Sequence, residues 1–134
     1  MHPSQDEWQR LIEAAQAASD RAYCRYSEFP VGAALLSQDG RIFSGCNVEN
    51  ASFGLTICAE RNAIFHAVAE GMTEIRAMAV FTPTAHPTMP CGACRQVLHE
   101  FGRGAIVRGV CDSPEIKEQP MSVLLPEAFG PENL

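Results

Sequence analysis

Residues 58–82, CAERNAIFHAVAEGMTEIRAMAVFT, change character partway along. Residues 58–70 are helix formers that stop at Gly71, the residue type suited to the position just past a helix. IRAMAVFT (75–82) then reads as a strand. Upstream, VGAALLSQDGRIFSGCNVE (31–49) reads as two strands joined at Asp39-Gly40, a dipeptide suited to a tight hairpin turn, and NASFGLT (50–56) is a loop. Downstream, PCGACRQVLHEFG (90–102) predicts a helix from about Cys91 to Phe101 closed by Gly102, followed by the strand AIVRGV (105–110). Strand, helix, strand, helix, strand from about residue 41 to 110 implies right-handed crossovers and a largely parallel sheet, with the opening hairpin as an antiparallel edge. The fold class is therefore α/β, a three-layer α/β/α sandwich. A first helix is expected from Ser4 to about Cys24: Ser4 and Glu7 make a capping box, and Trp8, Leu11, Ile12, Ala15, Ala18 and Ala22 recur at helical spacing.

The bulk composition bounds the function. A chain of 134 residues, 46% apolar and 19% charged, is the size and make-up of one globular domain, expected to span residues 1–134. No stretch is apolar for long enough to cross a bilayer, and MHPSQDEWQR lacks the basic-then-apolar pattern of an export signal, so a cytoplasmic address and no membrane partner are expected. In a reducing compartment the six cysteines are thiols and metal ligands before they are disulfides. A formal charge of −6, with 10 scattered Lys and Arg, speaks against a nucleic-acid partner, because such binding depends on cations that neutralise phosphates.

Cys91 and Cys94 stand at a spacing that serves a redox disulfide, a structural zinc or a catalytic zinc. A structural zinc takes four protein ligands, and no second CxxC exists to supply them; a catalytic zinc takes three and leaves the fourth place open. Cys58 is the remaining thiol at a predicted helix start. In open α/β sheets helix N-termini gather at the carboxyl ends of the strands, where Cys58 can meet Cys91 and Cys94. The partial positive charge there favours thiolates. A redox CxxC remains the competing reading, but it leaves Cys58 and its neighbours unexplained. His2, His86, His66 and His99 lie at a terminus, in a loop or well inside helices, and are read as surface or supporting residues. Glu60, two residues after Cys58, can face the open position as a general base for water; by itself it would read as an acid at a helix start. Three thiolates on zinc carry net negative charge, so a cation must draw electron density from the sulfurs: Arg61 is the candidate, with Arg95 a weaker one.

CAERNA (58–63) with PCGACRQVL (90–98) resembles the zinc-dependent cytidine deaminase family, in the variant where Cys replaces His as first ligand. YSEFPVGAALL (26–36), GRIFSGCNVENASFGLTICAERNAI (40–64) and LLPEAFGPENL (124–134) are similar to the small homotetrameric nucleoside class, so the likeness covers nearly the whole chain. It implies a mixed five-stranded sheet, one zinc per chain on Cys58, Cys91 and Cys94, and Glu60 as proton shuttle in the conversion of cytidine and 2′-deoxycytidine to the uridines. It implies further that Asn47 and Glu49 bind the ribose and that Phe29 stacks on the base. Phe129 would reach the site of a neighbouring subunit in a homotetramer, and Arg61 would hydrogen-bond the ligand thiolates. Backbone groups at Ala59 and Cys91 would orient the base. Read without the resemblance, Asn47 and Glu49 are a strand-end turn pair, and Phe29 and Phe129 are core. Met89 and Arg25 depart from the family pattern, and CDSPEIKEQP (111–120) matches only in general position. An aminonucleoside-antibiotic deaminase, a nucleic-acid editor and a non-catalytic zinc or thiol module are the competing functions.

Overall fold

β1 (Gly32–Ser37) is buried along its whole length, which is why its sequence reads as unbroken apolar rather than alternating. Its two faces feed two cores. Ala34 and Leu36 join Ala77 and Ala79 of β3 (Ile75–Phe81) beneath Trp8, Leu11 and Ala15 of the first helix, α1 (Gln5–Ser19). Ala33 and Leu35 join Met78 and Val80 on the opposite face, beneath Ala59, Ala63 and Ile64 of α2 (Ala59–Ala69) and Leu98 of α3 (Gly92–Phe101). The chain is thus a three-layer α/β/α sandwich; the structure, a computed structural model, describes residues 2–134.

The sheet is five-stranded in the order β2-β1-β3-β4-β5, with β2 at Ile42–Cys46, β4 at Ile106–Val110 and β5 at Lys117–Pro120. Its hydrogen-bonded ladders correct the expectation of a largely parallel sheet: β3 with β4 is parallel, while β1 with β2, β1 with β3 and β4 with β5 are antiparallel. The hairpin supplies the antiparallel edge through β2, and it folds inward, so β1 lies between β2 and β3. The crossover through α2 therefore skips one strand. β2, β3 and β4 still point the same way, and the loops after β2 and β3 open at the same end of the sheet. The hairpin turn itself is as expected, with Gly40 at φ 89°.

α1 begins at the capping box, where Ser4 Oγ accepts from Glu7 N–H at 3.1 Å and the Ser4 N–H donates to Glu7 Oε1 at 2.9 Å. It ends at Ser19 rather than near Cys24. The backbone beyond is claimed elsewhere: Tyr23 N–H donates to Asn47 O, and Glu49 N–H donates to Tyr23 O. This pairing, which helix periodicity does not reveal, brings residues 23–31 alongside the end of β2.

α2 lies hard against β2. A Cβ on Gly45 would stand 2.4 Å from Ala63 N and 2.8 Å from Ala59 O, backbone atoms that cannot swing aside. Gly45→Ala should therefore push away the helix that begins at Cys58. A loss of about 3 kcal/mol, the upper part of the usual range for overpacking, is expected in urea unfolding of the metal-free chain. An unchanged midpoint would refute this close approach.

Candidate active site

Cys58 is the N-cap of α2 and Cys91 the N-cap of α3, and Cys94 lies in the first turn of α3. The two helix starts converge. Cys58 Sγ is 4.0 Å from Cys91 Sγ, Cys91 Sγ is 3.5 Å from Cys94 Sγ, and all three sulfurs lie within 4.8 Å of one another. Thiolates at about 2.3 Å from a tetrahedral zinc stand roughly 3.8 Å apart, so the cluster fits that ion with little adjustment. Among the described residues this is the one group of three or more Cys, His, Asp and Glu side chains placed to hold a metal.

The thiols are unequal. The Cys58 thiol is pushed well down, first by the neighbouring Cys94 thiol and then by the Arg61 guanidinium, while Cys94 is held up by the same pairing and by burial. Arg61 Nη2 stands 3.3 Å from Cys58 Sγ. The structure thus puts the nearest cation where the charge count asks for one. Arg95 does not share this task, because its donors go to the carbonyls of Pro90 and Leu124.

Glu60, in the first turn of α2, is 6% exposed. Burial is the main cause that pushes its carboxyl up to about 7, with the negative charge of Cys58 adding to it. A carboxyl poised near neutrality both takes up and gives back a proton at working pH.

Glu60, Cys58, Cys91 and Ala59 line a cavity of about 260 Å³, completed by Phe29, Val31, Asn47 and Glu49 on one side and Val80, Thr88 and Met89 on the other. Asn47 and Glu49 hold the loop that forms one wall. Asn47 Oδ1 accepts from Val31 N–H and its Nδ2 donates to Phe29 O, both at 2.9 Å. Glu49 accepts from Tyr26 N–H at 3.0 Å, from Ser27 N–H at 3.1 Å and from the Ser27 hydroxyl, bonds that also hold its carboxyl below the usual range, the Ser27 hydroxyl foremost. A carboxylate accepts about four hydrogen bonds, and this loop takes three of those of Glu49.

Phe29 is 40% exposed on the cavity wall, not core. Phe129 is 59% exposed and lies outside the cavity of its own chain, its carbonyl accepting from Gln96 Nε2 at 2.9 Å. The histidines stay away from the sulfurs: His66 Nδ1 is 3.2 Å from Ser44 O, and His86 pairs with Glu115 at 2.8 Å. Ser27, Thr56 and Thr88 also line the cavity, and residue type alone gave no reason to single them out. Met89, which departs from the family pattern, is a piece of the wall packed on the core.

A family model described as "Cytidine and deoxycytidylate deaminase zinc-binding region" matches residues 5–110. A cytidine deaminase of Sporosarcina psychrophila is 46% identical over 127 residues, covering 94% of this chain and 93% of that one. One from Halalkalibacterium halodurans is 47% identical over 128 residues, covering 94% and 96%. The crystal structure of a cytidine deaminase from Burkholderia pseudomallei superposes with a TM-score of 0.86 at 48% identity, covering 90% of this chain and 98% of that one.

Proposed function

The chain belongs to the cytidine and deoxycytidylate deaminase family, and from that premise we propose that it is a zinc-dependent hydrolase converting cytidine and 2′-deoxycytidine to the uridines with release of ammonia. The observation that carries this reading is the convergence of three thiols, two of which, Cys58 and Cys91, share the wall of a single cavity with the buried carboxyl of Glu60. Zinc held by Cys58, Cys91 and Cys94 supplies the Lewis acidity that makes water a nucleophile near neutral pH. Glu60 takes the proton from the water that adds to C4 of the base and delivers it to N3. It then carries the second proton of that oxygen to the 4-amino group, so that ammonia leaves and a C4 carbonyl remains. Arg61 disperses thiolate charge. Phe29 offers a face to the base, Asn47 and Glu49 serve the sugar, and the Ala59 and Cys91 backbone orients the ring.

Phe129, exposed and outside its own cavity, supports sites completed by a neighbouring copy in a homotetramer. The chain acts in this reading as a single domain in the cytoplasm, in pyrimidine salvage, with no nucleic-acid or membrane partner. Its charge of −6 speaks against a polyanionic partner, and no helix among the described residues is long and apolar enough to cross a membrane.

Loss of cytidine ultraviolet absorbance is the test. Cytidine and 2′-deoxycytidine are expected to turn over, and preincubation with a zinc chelator to stop both. Cytidine monophosphate is expected to be a poor substrate, since Glu49 meets the sugar with negative charge on a chain already at −6. Absence of cytidine turnover in the zinc-loaded chain sinks the assignment; comparable turnover of the monophosphate sinks the preference for free nucleosides.

A further inference from the structure

The three thiols are not equally anchored. Cys94 is buried in the core and Cys58 is held by Arg61, but Cys91 is exposed, and no side-chain cap bond fixes it. What is held is the peptide before it: Arg95 Nε donates to the Pro90 carbonyl at 2.7 Å. The other arm of the same guanidinium, Nη1, donates at 3.0 Å to the carbonyl of Leu124, at the end of α4 (Met121–Leu124). The next residue along α3, Gln96, holds the Phe129 carbonyl, and one turn further the buried His99 Nε2 would stand 3.0 Å from a Cβ on Gly130. Residues 124–130 thus lie along the helix that carries Cys94, and one planar fork ties them to the peptide that places Cys91. A guanidinium holds two carbonyls at a fixed separation; the point charge of an ammonium cannot.

We infer that Arg95 is a positioning residue for Cys91, and that it couples retention of the metal to docking of the C-terminal segment on α3. The inference rests on the zinc reading above. Loosening either arm of the fork frees the Cys91 peptide, so zinc leaves faster without any loss of a ligand atom.

The test follows transfer of zinc from the loaded chain to a chromogenic chelator for wild type, Arg95→Lys, Arg95→Gln, Gln96→Ala and Ile106→Val, with melting temperatures measured alongside. Both Arg95 variants keep one donor nitrogen in place of the fork's two, and using two variants keeps the result from hinging on the folding of either. Ile106 packs under α1 on the far face of the sheet and controls for general destabilisation. Arg95→Lys and Arg95→Gln are expected to release zinc about tenfold faster, the scale on which residues supporting a metal ligand act. Gln96→Ala is expected to show a smaller acceleration, and Ile106→Val none despite a lower melting temperature. Release at the wild-type rate from both Arg95 variants overturns the positioning role, as does equal acceleration in Ile106→Val. Wild-type release from Gln96→Ala overturns the coupling to the C-terminal segment. If instead the wild-type chain binds no zinc, the functional reading beneath fails, and the two failures are told apart by metal content.

Discussion

Glu60→Gln is expected to keep about one zinc per chain while cytidine turnover falls by about four orders of magnitude, the upper end of what a positioned proton carrier contributes. The amide has the size and hydrogen-bonding outline of the acid but neither takes up the proton of the attacking water nor gives one to N3 or the departing amine. Because Glu60 is not counted among the ligands, metal content and activity separate. The metal-free chain supplies a second readout. Burial raises the Glu60 carboxyl from 4.5 to about 7 in the folded state, so between those values the folded chain holds a proton that the unfolded chain releases. The sign follows: this group costs nothing below about pH 4.5, and its cost grows as pH rises and levels off above about 7. Gln in its place removes the cost, and the metal-free variant should be more stable than metal-free wild type at pH 8, by at most about 3 kcal/mol. At pH 4 the two should agree. Turnover near the wild-type rate in the zinc-loaded variant would remove Glu60 from the mechanism.

Much of this site could be read from sequence because its parts sit at helix starts, and helix starts are punctuated. Gly71 and Gly102 mark where α2 and α3 stop, which places Cys58 and Cys91 at their beginnings, and the carboxyl ends of the strands bring such beginnings together. What was hidden is long-range. That β1 separates β2 from β3 depends on which side of β1 each neighbour takes, and hydrophobic pattern is blind to that choice. β5, KEQP, has no strand signature of its own; it is drawn to the edge by pairing with β4, where Arg108 Nη2 meets Glu118 at 2.7 Å. α1 fits helical spacing past Ser19, but Tyr23 pairs with the backbone near Val48, and tertiary pairing overrides local preference. Asn47 and Glu49 show the same limit at the site. Their residue types fit a strand end and a sugar contact alike, and only the fold reveals that both grip the loop carrying Phe29.

Cys94→Ala should leave a folded chain that does not retain zinc, with deamination at background. Among the three thiols Cys94 has the least exposure, none. Its removal takes away one of three ligand atoms, so affinity should fall by more than about 100-fold, beyond the range seen when only a supporting contact is lost. The matched control is Cys111→Ala. Cys111 is also a buried free thiol, but its sulfur sits 3.2 Å from Ser113 Oγ and 3.6 Å from the carbonyls of Ala85 and Glu115, a packing contact between loops. Its truncation should cost some stability and leave zinc content and turnover in place. The contrast tests place in the fold against residue type, since each variant loses one buried sulfur. Stoichiometric zinc and full turnover in Cys94→Ala would break the ligand set, and loss of zinc in Cys111→Ala would mean that a thiol outside the two helix starts belongs to it.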